Sequence, residues 1–206
     1  IADLGSGKAV LADLNTDVCE VGLSANRREL DEHRCFAAGS ERQLAVGAIA
    51  LSTLDPKTHT DSVEEYIYQF LRLLVAHEIG HALGLRHNFH GSTMLAPEEL
   101  NDKNITRTRG MVASVMDYVP VNLAPRGQPQ GDYFPAIVGP YDRWAIEYGY
   151  KPISAGTPYG ESRELQEIAR RGTAPELAFA TDEDLWGVYL DPAANAFDLS
   201  NDMLQY

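Results

Sequence analysis

The chain is predicted to fold as an α+β domain, and three features carry that expectation. A helical pattern covers about residues 62 to 86, the short run Leu44 to Leu51 reads as a buried strand, and strand-like runs lie at Lys8 to Leu14 and Cys19 to Leu23. Length and composition suit one core: 206 residues, 44% hydrophobic and 23% charged, are enough to bury a single sizeable interior, and a second independent domain is not expected. Residues 1–206 are therefore read as one domain.

The elements follow in order. Residues 1–43 mix Gly, Asp, Asn and charged residues, with only the two short strand candidates. Leu44 to Leu51 is small and aliphatic and stops at the turn signal Asp55-Pro56. Ser62-Val63-Glu64-Glu65 has the capping-box form, and Val63, Ile67, Phe70, Leu71, Leu74 and Ile79 follow at broadly helical spacing.

That helix ends in His77-Glu78-Ile79-Gly80-His81-Ala82-Leu83-Gly84-Leu85-Arg86-His87, which has the form H-E-x-x-H-x-x-G-x-x-H. On a helix His77 and His81 are four residues apart, so both rings leave one face about a turn apart and reach one metal ion. Glu78 is poorly placed to join them but well placed to touch a metal-bound water as a general base. Gly84 ends the helix in a left-handed conformation without a Cβ penalty, so that His87 returns from another direction. Three protein ligands leave a fourth position open, which marks a catalytic site more than a structural one. With 6 His and 17 Gly in the chain, a chance match at all five fixed positions is on the order of one in ten thousand.

The motif resembles the signature of the metzincin zinc peptidases, whose second mark is a methionine turn. Ser114-Val115-Met116-Asp117-Tyr118 supplies a matching segment. The resemblance implies that Met116 is an apolar floor beneath the ligands. It also implies that Tyr118, like the tyrosine of the astacin-like and serralysin-like branches, coordinates zinc or hydrogen-bonds the tetrahedral intermediate; a packing tyrosine is the other reading. Leu85-Arg86-His87-Asn88-Phe89, Ser114 to Pro120 and Gly139 to Tyr150 look like the bacterial zinc-dependent metalloproteases with a Met-zincin domain, over about residues 44 to 150 and more loosely the tail. Resemblance adds to the fold a twisted mixed β-sheet with the active-site helix above an irregular, partly helical C-terminal subdomain, and implies an upper subdomain of about 1–88 and a lower one of about 89–206.

The function implied is a zinc-dependent endopeptidase hydrolysing peptide bonds by a zinc-activated water, with Glu78 as general base and His77, His81 and His87 as ligands. The other reading is a latent or non-catalytic zinc-binding module of a larger secreted or surface protein. Cobalt, nickel or copper would also suit three histidines, but availability and a tetrahedral open site favour zinc.

Past the third histidine, residues 89–113 read as a polar link, partly helical at Pro97 to Asn101, and the proline-rich 119–139 as a constrained loop. The resemblance makes that loop a wall beside the scissile bond. Pro140 to Gly149 and Glu161 to Arg171, the latter ended by Gly172, read as helices. Thr181-Asp182-Glu183-Asp184, with Asp191, Asp198 and Asp202, reads as a solvated acidic surface, or as oxygen ligands for calcium, although the spacing fits no EF-hand loop.

A net charge of −13 argues against nucleic acid, whose phosphates it would repel. No apolar stretch approaches the roughly 20 residues a membrane span requires. The partner expected is a protein or peptide substrate. Cys19 and Cys35, with fifteen residues between them, are read as a disulfide closing a small loop, which suits a secreted peptidase outside the cell or in a periplasm. Two buried thiols, or a thiolate capping the zinc, are the other readings.

Overall fold

Backbone hydrogen bonds decide the architecture, and in the described part of the chain they go to helices and side chains, not to ladders. The computed structural model describes residues 44, 45, 47–49, 59–186 and 190–205. The chain divides into two compact units, Ile1–His59 and Thr60–Tyr206, and the second carries the motif described above. The strand candidates at 8–14 and 19–23, and both cysteines, lie outside the described residues.

Among the described residues there is no β-strand, which overturns for them the α+β class and its twisted mixed sheet. The strand expected at 44–51 is corrected as well: Leu44, Ala45, Gly47, Ala48 and Ile49 are helical. A short apolar run does not separate strand from helix by periodicity, and this one is rich in alanine, the strongest helix former.

Helix α1 spans His59–Ala82. It begins three residues ahead of the expected start, so Ser62 to Glu65 lie inside the first turns. The buried face is also rotated from the one expected. Tyr66, Gln69, Phe70, Leu73, Leu74, His77 and Gly80 face inward, whereas Ile67, Leu71 and Ile79 remain 46%, 40% and 53% exposed. Tyr66 and Phe70 pack their rings against Phe134, with centroids 5.5 and 5.6 Å apart.

Helix α1 stops at Ala82, four residues earlier than expected, in a Schellman turn. Gly84 N–H donates to His81 O at 2.9 Å and Leu85 N–H to Gly80 O at 3.0 Å, and Gly84 sits at φ +83°. The Tyr150 hydroxyl donates to Leu83 O at 2.9 Å, satisfying a carbonyl the helix end leaves over.

The rest is short helices joined by irregular chain: 3-10 turns at Gly91–Met94 and Pro97–Glu99, then α2, Lys103–Thr106. Residues 107–139 contain no helix or strand. α3 is Pro140–Tyr150, α4 is Ser162–Arg170 and α5 is Asp182–Trp186. The loop 119–139 is buried over much of its length because side chains satisfy its backbone. Gln69 Oε1 accepts from Tyr133 N and Phe134 N at 2.7 and 3.1 Å. Asn122 Nδ2 donates to Leu100 O and Asp132 O at 3.1 and 2.9 Å.

Candidate metal centre

Three histidines meet at the C-terminal end of α1. Ring centroids of His77 and His81 are 4.7 Å apart, those of His81 and His87 also 4.7 Å, and those of His77 and His87 5.4 Å. One ring nitrogen of each lies within 4.8 Å of those of the other two. The first two arrive by helical spacing. The third arrives because the turn at Gly84 sends the chain back across the helix end.

Each ring is held by its Nδ1. His77 Nδ1 lies 2.7 Å from Val115 O and His81 Nδ1 3.0 Å from Leu85 O. His87 Nδ1 lies 2.8 Å from Asp182 Oδ1. Carbonyls and carboxylates only accept, so each Nδ1 carries a proton, and in the neutral ring that leaves a lone pair on Nε2. Those of His81 and His87 stand 3.2 Å apart. Two lone pairs at that distance repel unless a cation lies between them. Two nitrogens at 2.0–2.1 Å from one tetrahedral zinc would be about 3.3 Å apart, so the residues fit the ion.

Electrostatics agree. Burial, opposed by the bond to Val115 and reinforced by any positive charge on His81 or His87, lowers the His77 pKa to about 3, which keeps the ring neutral and able to ligate. Burial raises the Glu78 pKa, and the nearby His81 and His87 counter part of the rise. Solvent reaches the cluster on the His81 side.

Met116 is fully buried. A Cβ on Gly80 would overlap its sulfur, so the glycine inside the motif is where the methionine packs against the helix. Met116 O accepts from Asn88 N–H at 3.1 Å, tying residue 116 to the third-histidine loop. Tyr118 lies buried between Phe89 and Phe197, its hydroxyl 3.0 Å from His87 Nε2. Burial first, then the charges of Asp182, Glu78 and Asp117, raise its pKa, so the hydroxyl stays a donor.

Two carboxylates were not singled out as site residues by the sequence reading. Asp142, in the first turn of α3, accepts from Ser114 Oγ at 2.6 Å and from Val115 N and Gly139 N at 2.9 Å each. It thereby holds the residue whose carbonyl holds His77. An acid at the third position after a Gly-Pro helix start was the available signal. Asp182 gave none, since 95 residues separate it from His87.

The expected solvated acidic surface holds for Glu183 and Asp202, which are exposed, and is corrected for Asp182, Asp191 and Asp198, which are half-buried and partnered. Arg86 pairs with Glu183 at 2.7 Å, His90 Nε2 with Asp191 at 3.0 Å, and Ser92 Oγ donates to Asp198 at 3.1 Å. Ser200 N–H and Asn201 N–H donate to Ser92 O and Leu95 O at 3.0 and 2.8 Å. The tail is laced in order along residues 86–95. No group besides the three histidines is arranged to hold a metal among the described residues, so calcium has no support there. Nor is any described helix long and apolar enough to cross a membrane.

Two imidazoles on one helix face and a third returning past its end, with a neighbouring glutamate, define the class: a three-histidine metal-binding domain of zincin type. The Met-zincin family model matches residues 59–206. The chain belongs to the Met-zincin family and carries a metzincin-type domain. The match begins later than the resemblance over 44–150 and takes in the whole tail, in keeping with the lacing just described. No curated protein and no solved structure is matched.

Proposed function

We propose that the domain is a zinc-dependent endopeptidase, with His77, His81 and His87 as zinc ligands and Glu78 as general base. The observation that carries the reading is the convergence of three Nδ1-anchored imidazoles beside a carboxylate whose pKa is raised by burial. A structural zinc site has no use for that carboxylate.

Zinc bound there supplies Lewis acidity, lowering the pKa of water toward about 7 and polarising a substrate carbonyl. Glu78 takes the proton of the attacking water and returns it to the departing amine, and the upward shift of its pKa strengthens it as a base. Tyr118 keeps its proton and donates to the developing oxyanion. Met116 and Gly84 support the site, one by packing against Gly80 and the other by turning the chain toward His87. The expected substrate is an extended peptide or unfolded protein, met outside the cytoplasm, a location supported by the cysteine pair.

The experiment is cleavage of a denatured protein such as casein by the zinc-loaded chain, beside Glu78→Ala with its zinc content measured. Activity lost in the variant while zinc stays bound is the expected result. Full activity in Glu78→Ala, or none in the zinc-loaded parent, would overturn the reading.

A further inference from the structure

We infer that Asp182 is a positioning residue for His87, and that docking of residues 178–186 on the third-histidine loop and loading of the metal are therefore one coupled equilibrium. The inference rests on the zinc reading above and goes beyond it, because it makes the distant tail a part of the metal site.

The three imidazoles are not held alike. His77 and His81 lean on main-chain carbonyls, Val115 O and Leu85 O. His87 leans on a side chain 95 residues away, at 2.8 Å, with the two side chains only 14% and 15% exposed. A carboxylate on the far nitrogen fixes ring and tautomer and makes the metal-facing nitrogen more basic. Without Asp182 the imidazole is free to turn or to move its proton to Nε2, and either change removes a ligand.

The chain around His87 is built to deliver that carboxylate. Asn88 Nδ2 donates to Ala178 O at 3.0 Å, and Asn88 Oδ1 accepts from Ala180 N at 3.2 Å. Phe89 N donates to Ala180 O at 2.7 Å. Asp184 Oδ2 accepts from Thr181 N at 2.8 Å, shaping the turn from which Asp182 projects. Arg86 is satisfied mainly by Glu183 at 2.7 Å and lies 3.6 Å from Asp182, so pairing with Arg86 alone does not account for the placement of Asp182. Since docking orders a ligand, the ion must favour docking by the same factor that docking favours the ion.

The test measures the zinc dissociation constant of the full chain by competition with a chromophoric chelator, and hydrogen exchange of the 178–186 amides with and without zinc. Asp182→Ala is expected to weaken zinc binding by about 10- to 100-fold and to abolish the zinc-dependent protection of the tail seen in the parent. Asp182→Asn keeps an acceptor, loses the charge and should fall between; it carries the test if the alanine variant does not fold. A dissociation constant within about twofold of the parent in the folded variants, with tail protection unchanged, would overturn the inference and leave the zinc reading standing. A parent chain that binds no zinc would overturn both.

Discussion

At the residue scale, the site turns on a few atoms with separable jobs. Exchanging Glu78 for Gln keeps its shape and removes the proposed base; kcat is expected to fall by about 100- to 10,000-fold with zinc content unchanged, checked by peptide hydrolysis beside metal analysis. Tyr118→Phe removes only the hydroxyl near His87 Nε2, and a smaller loss is expected, on the order of tenfold to a hundredfold in kcat with little change in KM. A loss in KM alone would make Tyr118 a wall of the pocket and not a donor. Gly80→Ala places a methyl on the Met116 sulfur; overpacking of this kind costs about 1–3 kcal/mol, which urea unfolding would show. Of these residues, the place of Glu78 beside the histidines was legible from the motif and that of Tyr118 beside His87 from its position after the methionine, while their catalytic roles are the proposal that these variants test. The reason Gly80 is glycine was not legible, because the atom it avoids lies 36 residues downstream.

At the scale of elements, α1 and α3 cooperate through one carboxylate. Asp142 caps its own helix and grips Ser114 and Val115, so Asp142→Ala strands three buried donors at once. A loss of about 3 kcal/mol or more is expected, read as a lower midpoint of urea unfolding, and zinc binding should weaken with it because Val115 holds His77. Stability lost with zinc affinity intact would break that link. The span of α1 was legible to within four residues at each end, since long helical spacing and a glycine stop are local signals. Its buried side was less so. Tyr66, Gln69, Leu73 and Gly80 lie on the inward face, while the aliphatic Ile67, Leu71 and Ile79 face outward. The face that carries His77 had to turn in, and hydrophobicity alone does not weigh a histidine or a glutamine.

At the scale of the molecule, the tail and the loop beyond the third histidine meet at buried carboxylates. Burial raises the Asp198 pKa from its ordinary 3.8 to about 6, opposed by the Ser92 hydroxyl. The fully buried Asp117 is raised well above its ordinary value, by burial first and then by the charge of Asp198. A raised folded pKa gives stability that is complete below the unfolded pKa and is lost as pH rises through the folded one. For Asp198 that loss falls between about pH 4 and pH 6. Asp198→Asn is expected to flatten stability over that window and to raise the unfolding midpoint at pH 7 relative to the parent; an unchanged pH profile would contradict it. Zinc acts in the other direction. At a free concentration about 100 times its dissociation constant it should add about 2.7 kcal/mol, visible as a drop in Tm on chelation.

What the sequence determined by itself is the local chemistry: two histidines one turn apart, a glutamate beside the first, a glycine that ends the helix, and a third histidine just past it. Such features depend on spacings of a few residues, which helix geometry converts directly into positions. Tertiary structure alone decided where the ring nitrogens point, that Val115, Leu85 and Asp182 hold them, that Met116 lies against Gly80, and that Asp182, Asp191 and Asp198 of the tail are tied to residues 87–92. It also decided against strands in the described chain. Short apolar runs satisfy their backbone by whichever partner the fold brings, and here those partners were helical turns and the side chains of Gln69, Asn122 and Asp142.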